Sequence, residues 1–281
     1  MKIIECPRDA MQGLLDFVPT ELKVRYINQI LKVGFDTVDF GSFVSPKAIP
    51  QMHDTAEVLE GLELSGSRSK LLAIVANVKG AELASDYEEI QYLGYPLSLS
   101  ETFQKRNTNR SIGVAFDNLA EIQDICQSDD KTLVVYLSMG FGNPYGDPYE
   151  VDYVGQFVDR LDKMEVDVVS LADTIGVSNT ETIEPLFQTL IPKFPHIEFG
   201  AHFHSNPNNA VEKIKAAYKS GCRRMDGAIR GYGGCPMAKD ELVGNMATET
   251  ILSTLKQLDS EQAYDQVEFF RAIELSKEIF I

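Results

Sequence analysis

The feature that most constrains the fold is a repeat in which short β-branched runs alternate with longer amphipathic stretches, eight times over. Such alternation is the pattern of βα units and a parallel sheet. The predicted strands are Lys2–Cys6, Thr37–Phe40, Leu71–Ala76, Glu89–Leu93, Leu133–Leu137, Val166–Leu171, Glu198–His204 and Arg224–Ile229. Between them, Thr20–Val33 carries Leu22, Tyr26, Ile27, Ile30 and Leu31 at helical spacing, with Gly34 as a natural stop. Ala210–Lys219 behaves likewise and ends at Gly221. Eight units in about 250 residues is the size of an α/β fold of the (β/α)8 TIM-barrel kind. An open doubly wound sheet is the alternative. No Gly-x-Gly-x-x-Gly follows the first strand, however, and no P-loop is present. From about Asn245 to Ile281 the chain reads as additional C-terminal helices that close or flank the barrel. Val267, Phe269, Phe270, Ile273 and Leu275 make that segment too apolar to lie free in solvent, so it is expected to pack on the barrel or on a second subunit. A single catalytic domain over 1–281 and a homodimer are the expectations.

Charge narrows the partners. With 26 Lys+Arg against 42 Asp+Glu, the chain lacks the electrostatic footprint for nucleic acid or an anionic membrane. No window holds the roughly 18 consecutive apolar residues of a membrane helix. Lys2-Ile3-Ile4-Glu5 already reads as a strand, leaving no room for a targeting segment, and a cytoplasmic location is expected. Cys6, Cys126, Cys222 and Cys235 show no Cys-x-x-Cys spacing and are predicted to be free thiols.

A TIM barrel gathers its chemistry at the C-terminal ends of its strands. The sequence supplies polar residues there: Arg8, Asp9 and Gln12 after the first strand, Asp39 and Ser42 at the second, and Asn77 and Lys79 after the third. Ser98, Glu101, Ser138 and Asp173 follow on later strands. In strand seven, Ile197, Phe199, Ala201 and Phe203 form an apolar face, while His202 and His204 point the other way with Glu198 and Gly200. Two imidazoles at i and i+2 at a strand end can reach one metal ion. Strands seven, eight and one are neighbours in a closed barrel, so Asp9 can join them, and Asn245 is placed to add an amide oxygen. One carboxylate, two imidazoles and one amide leave about two positions of an octahedral site for substrate oxygens, which suits Mg2+ or Mn2+. Ligand types alone leave Fe2+ and Zn2+ open.

Several segments carry a resemblance. They are Pro7-Arg8-Asp9 with Gln12, Ser42-Phe43-Val44-Ser45-Pro46-Lys47, Pro50-Gln51-Met52, Ser100-Glu101 with Asn107, and Asp173-Thr174-Ile175-Gly176. His202-Phe203-His204, Gly233-Gly234-Cys235-Pro236 and Gly244-Asn245 with Ala247-Thr248-Glu249 continue the series. In this order they resemble the hydroxymethylglutaryl-CoA lyase branch of the metal-dependent lyase and synthase barrels. The resemblance implies retro-Claisen cleavage of 3-hydroxy-3-methylglutaryl-CoA, or a similar 3-hydroxyacyl-CoA, to acetyl-CoA and acetoacetate. A divalent metal on Asp9, His202, His204 and Asn245 would act on the substrate hydroxyl, with His202 or Asp9 as the base. It also implies Arg8 as the cation for the thioester oxygen, Asp39 as the acidic residue of the second strand, and Cys235 as general acid on a glycine-flanked loop. Coenzyme A contacts are expected from Gln12, Asn77, Lys79, Lys105 and Arg106, with Arg110 nearby. The alternatives are a Claisen-type synthase joining an acyl-CoA to a 2-oxo acid, a non-CoA hydroxy-acid aldolase, and a silent binding barrel. The Gly-Gly-Cys-Pro and Ser-Phe-Val-Ser-Pro-Lys segments favour the lyase. Four departures stand out: Asp39 for the family's usual Glu, Ala10 for Gly, Leu15 for Lys, and Ser205-Asn206 where Asp is usual after the second histidine.

Overall fold

The computed structural model describes residues 1–234, 243–260 and 262–280; Cys235 lies outside them. Eight parallel strands close on themselves: β1 (Lys2–Glu5), β2 (Thr37–Ser42), β3 (Lys70–Ile74), β4 (Ile90–Ser98), β5 (Thr132–Ser138), β6 (Val168–Asp173), β7 (Glu198–Ser205) and β8 (Arg224–Gly227). Each strand pairs with the next, and β8 returns to β1 in register Lys2↔Arg224 to Glu5↔Gly227. The predicted (β/α)8 barrel is therefore the observed one. A ninth short strand, β9 (Gly244–Asn245), adds antiparallel to the end of β7, with His204 opposite Asn245.

The helices are α1 (Pro7–Gln12), α2 (Thr20–Val33), α3 (Thr55–Glu60), α4 (Val78–Ser85), α5 (Glu101–Thr108), α6 (Ile112–Ser128), α7 (Val151–Asp162), α8 (Thr180–Lys193), α9 (Ala210–Lys219), α10 (Thr248–Gln257) and α11 (Gln266–Ser276). The predicted bounds of α2 match, because Gly34 ends it in the left-handed conformation at φ 79°. Among the described residues, no helix is long and apolar enough to cross a membrane.

Two sequence expectations need correction. Strand β4 continues five residues past Leu93, through Gly94 and Pro96. Gly94 looks like a turn residue in sequence but is a packing residue: a Cβ there would meet Ile74 Cδ1 at 2.5 Å and Tyr136 Cε2 at 3.1 Å. Asn245 belongs to β9, not to the helical tail, which consists of α10 and α11. Helix α11 packs on α2, burying Phe269 and Ala272 and leaving Val267 and Phe270 exposed.

Period-two alternation sorts the strands. Ile197, Phe199, Ala201 and Phe203 join the core between sheet and helices, whereas Leu72, Ile74, Tyr92, Val134, Tyr136 and Val168 form a separate cluster inside the barrel. Glu5 ties β1 to the chain after β8 and to the first turn of α10. Its carboxylate accepts from Ile229 N (2.7 Å) and Thr248 Oγ1 (2.6 Å), and burial pushes its pKa up to about 8.

Candidate active site

The chain leaves β1 at Cys6 and turns at once into α1, with Pro7 at the first helical position, where its missing N–H costs nothing. That short helix sets Arg8, Asp9 and Gln12 at the mouth of the barrel. The Arg8 guanidinium makes a two-point pair with Asp39, Nε to Oδ1 at 3.1 Å and Nη2 to Oδ2 at 2.5 Å. Its Nη1 donates to Asp9 Oδ1 and Gln12 Oε1, both at 2.9 Å. Gln12 Nε2 donates to Asp9 Oδ1 at 2.7 Å, and Asn245 Nδ2 to Asp9 Oδ2 at 2.6 Å. A guanidinium has five N–H groups. Four are taken by these bonds, which leaves one on Nη2 without an acceptor among the described residues.

Across the mouth, the two histidines of β7 are steered from their far sides. His202 Nδ1 lies 3.0 Å from Asp226 Oδ2, and His204 Nδ1 lies 2.9 Å from the Thr174 carbonyl. A carbonyl only accepts, so His204 Nδ1 donates and Nε2 carries the lone pair. That Nε2 is buried with no partner among the described residues. One ligand atom each from Asp9, His202 and His204 lies within 4.8 Å of the others. Lys213, fully buried on α9, fixes the backbone behind them by donating to Asp173 Oδ2 (2.7 Å), His204 O (2.9 Å) and Gly176 O (3.0 Å).

Electrostatics follow from this crowding. Burial pushes the Asp9 carboxyl up, but Arg8, the two imidazoles and the Asn245 amide outweigh it and hold it below the usual carboxylate range. Asp39 goes the other way, to about 6, because burial exceeds the pull of Arg8 and the nearby Asp9 and Asp226 charges add to it. Burial and the adjacent His202 depress the His204 imidazole. In His202 burial is outweighed by the hydrogen bond and charge of Asp226, which raise it.

A cavity of about 570 Å³ opens over this cluster. Its polar wall includes Arg8, Asp9, Gln12, Asp39, His202 and His204, and its apolar wall includes Val44, Ile49, Ile74, Phe103 and Tyr136. The residues expected to hold coenzyme A divide. Gln12 lines the cavity, but as a brace on Asp9 and Arg8. Asn77 caps α4 by accepting from Gly80 N at 2.9 Å, and Lys79 beside it is exposed. Lys105 pairs with Glu101 at 3.0 Å, and Arg106 sits 4.7 Å over the Tyr145 ring. The structure does not bring these four to the cavity wall; Asn107 and Thr108 of the same α5 region stand there instead. Cys235 lies outside the described residues.

Sequence reasoning missed Asp226 and the Thr174 carbonyl. Asp226 follows Arg223 and Arg224 and reads as one of a run of surface charges. Only its parity on β8, the strand beside the histidines, could have singled it out. The departures read differently in place. Ala10 is an interior residue of α1, where Ala is a strong helix former. Ser205 and Asn206 are not needed to orient the histidines, since Asp226 and Thr174 do so.

Fold and site together define a (β/α)8 barrel with a mixed carboxylate–imidazole centre at its C-terminal mouth. The family model described as HMGL-like matches residues 2–275, and the chain belongs to that family. It is 32% identical to a hydroxymethylglutaryl-CoA lyase of Bacillus subtilis over 90% of this chain and 84% of that relative. It is 30% identical to a 3-hydroxy-3-isohexenylglutaryl-CoA/hydroxymethylglutaryl-CoA lyase of Pseudomonas aeruginosa, over 92% of this chain and 85% of that one. An HMG-CoA lyase from A. baumannii, solved with coenzyme A and 3-methylmalate, superposes with a TM-score of 0.91 at 28% identity, covering 99% of this chain and 90% of that one.

Proposed function

We propose that the chain is a divalent-metal-dependent carbon–carbon lyase that cleaves 3-hydroxy-3-methylglutaryl-CoA, or a close 3-hydroxyacyl-CoA, to acetyl-CoA and acetoacetate. The observation that carries the reading is the convergence of Asp9, His202 and His204 on one point. Two features support the fit to a metal: His204 Nε2 is orphaned in a buried position, and one carboxylate with two imidazoles is a usual donor set for a divalent ion. Asn245, against Asp9, is the fourth candidate ligand. We favour Mg2+ or Mn2+. Bound there, such an ion would lower the pKa of the substrate C3 hydroxyl and orient the C2–C3 bond.

The chain's own residues supply the rest. Asp39 and Gln12 hold the Arg8 guanidinium so that its remaining Nη2 proton can meet a thioester oxygen where negative charge develops as the bond breaks. Asp9 or His202, at the polar end of the cavity, takes the hydroxyl proton. Val44, Ile49 and Ile74 give the cavity an apolar wall, which would limit the water around a substrate bound there. Cys235 serves as the acid that returns a proton to the enolate carbon. Coenzyme A as the thioester carrier is favoured by the relative solved with it, and Lys79, Lys105 and Arg106 remain the cations we propose for its phosphates outside the cavity. A homodimer through the exposed Val267 and Phe270 of α11 is the proposed assembly. Incubating Mn2+- or Mg2+-loaded protein with 3-hydroxy-3-methylglutaryl-CoA and measuring acetoacetate tests the activity. Turnover of a 2-oxo acid with acetyl-CoA, and none of this substrate, would sink it.

A further inference from the structure

The floor of the barrel, below the cluster just described, holds a charge with no visible partner. Arg224 opens β8 with its side chain inside the barrel and is fully buried, yet Nε, Nη1 and Nη2 all lack hydrogen-bond partners among the described residues. Its guanidinium lies 5.4 Å over the Tyr92 ring, a contact that satisfies no N–H group. A guanidinium does not shed its proton, so it cannot escape the cost of burial by becoming neutral. Something polar must meet it.

The surroundings say what. Gly200 stands beside Arg224 in the register of β7 and β8, and Ser170 stands beside Gly200 in that of β6 and β7. A Cβ on Gly200 would meet Ser170 Oγ at 3.0 Å and Arg224 Cδ at 3.1 Å, so the missing side chain makes the space into which the arginine folds. Ser170 Oγ is itself buried and unpartnered, and so is Asp226 Oδ1, two residues along β8 on the same face. The other Asp226 oxygen is the one that accepts from His202 Nδ1 at 3.0 Å. Unpaired donors, an unpaired hydroxyl level with them across the sheet and an unpaired carboxylate oxygen two residues further along β8 are what buried water needs, since such water takes two to four polar partners. A free anion fits less well, because Asp226 already supplies the negative charge.

We propose that Arg224 is a positioning residue for the metal centre: water held in the barrel floor by its guanidinium and Ser170 bridges to Oδ1 of Asp226. The bridge fixes the carboxylate that aims His202 at the metal. Arg224 touches neither metal nor substrate, and acts through Asp226 and His202. The inference rests on the proposed metal site.

The test is Mn2+ affinity, measured by calorimetry or by the electron paramagnetic resonance signal of free Mn2+, with no turnover required. Arg224→Met keeps the packing of the side-chain stem and removes the donors. It is expected to weaken Mn2+ binding several-fold, up to about tenfold, the lower end of the scale for loss of a residue that orients a ligand directly, as Asp226 does. Arg224→Lys should recover part of that loss. Arg224→Met combined with Asp226→Asn should bind no more weakly than Asp226→Asn alone, because both act on one column. A folded Arg224→Met with wild-type Mn2+ affinity overturns the inference while leaving the metal reading standing; a wild type that binds no Mn2+ overturns both. Should Arg224→Met not fold, a high-resolution crystal structure of the wild type decides. Ordered water within hydrogen-bond distance of both Arg224 and Asp226 Oδ1 supports the bridge, and a dry floor or a bound anion there overturns it.

Discussion

Lys213→Met is the substitution whose cost can be worked most directly from the structure. The ammonium is fully buried and donates three bonds, to Asp173 Oδ2, His204 O and Gly176 O, joining α9 to the ends of β6 and β7. Methionine fills much of the same volume, so little cavity cost arises. What is lost is the partner of a buried carboxylate. Asp173 keeps bonds from Val177 N (2.9 Å) and Ser178 N (3.0 Å), but these do not neutralise it, and two carbonyls lose a donor. Breaking a buried pair from one side costs about 3–5 kcal/mol, a large part of the roughly 5–15 kcal/mol that stabilises a typical protein. Urea unfolding followed by circular dichroism should show that loss as a lower midpoint at unchanged slope. Asp173→Asn in the same chain removes the stranded charge and should restore at least about 1 kcal/mol, the lower range for coupled neighbours. A Lys213→Met protein within about 1 kcal/mol of wild type would refute the reasoning, since that is the scale of an exposed pair.

Other consequences are narrower. His204→Ala removes the proposed ligand whose Nε2 is orphaned and should abolish tight Mn2+ binding in a calorimetric titration while leaving the far-ultraviolet spectrum intact. Gly233→Ala places a Cβ 2.5 Å from Asn245 Nδ2 and 2.8 Å from the Asp9 carbonyl at φ +98°, and should weaken Mn2+ binding by displacing those two residues. Cys235→Ala is expected to stop acetoacetate formation with Mn2+ affinity unchanged; normal turnover would remove the cysteine from the mechanism. Glu5 binds its proton up to about pH 8 in the folded chain and only to about 4.5 when unfolded. The folded state thus holds the extra proton within that window, and stability falls as pH rises through it, by up to about 1.4 kcal/mol per pH unit. Melting temperatures of Glu5→Gln should fall less steeply over that range than those of wild type.

Most of the barrel was legible because its signal is local: eight β-branched runs, and a helix from Thr20 to a left-handed Gly34. The meeting of Asp9 with His202 and His204 was legible through strand order, since a closed barrel makes β7, β8 and β1 neighbours. The rest depended on rotation and register, which sequence does not encode locally. Lys79, Lys105 and Arg106 sit on helices whose turn about their own axes is set by packing, so nothing in their spacing showed that they would miss the cavity. Gly94 and Pro96 carry turn chemistry, and only the crowded barrel interior explains why β4 runs through them. Lys213 is a lysine on an amphipathic helix in sequence and a buried anchor in the fold.

The departures from the family pattern sort by position. Asp39 is one methylene shorter than the expected glutamate, yet it meets Arg8 at two points while lining the cavity. Ala10 faces no ligand, and Ser205 closes β7 behind histidines already oriented from β6 and β8. Leu15 is different. It is fully exposed at the tip of a loop that Gln51 clasps at Leu14 O, Asp16 O and Val18 N, so the loop keeps its shape without a cationic side chain. Gly13, at the start of that loop, lines the cavity. The apolar tip itself does not line the cavity and touches none of the residues proposed to hold the metal. Of the four departures, only Leu15 thus stands on the loop beside the cavity mouth, while Asp39 keeps its pair with Arg8, and Ala10 and Ser205 leave the orientation of the histidines to Asp226 and Thr174.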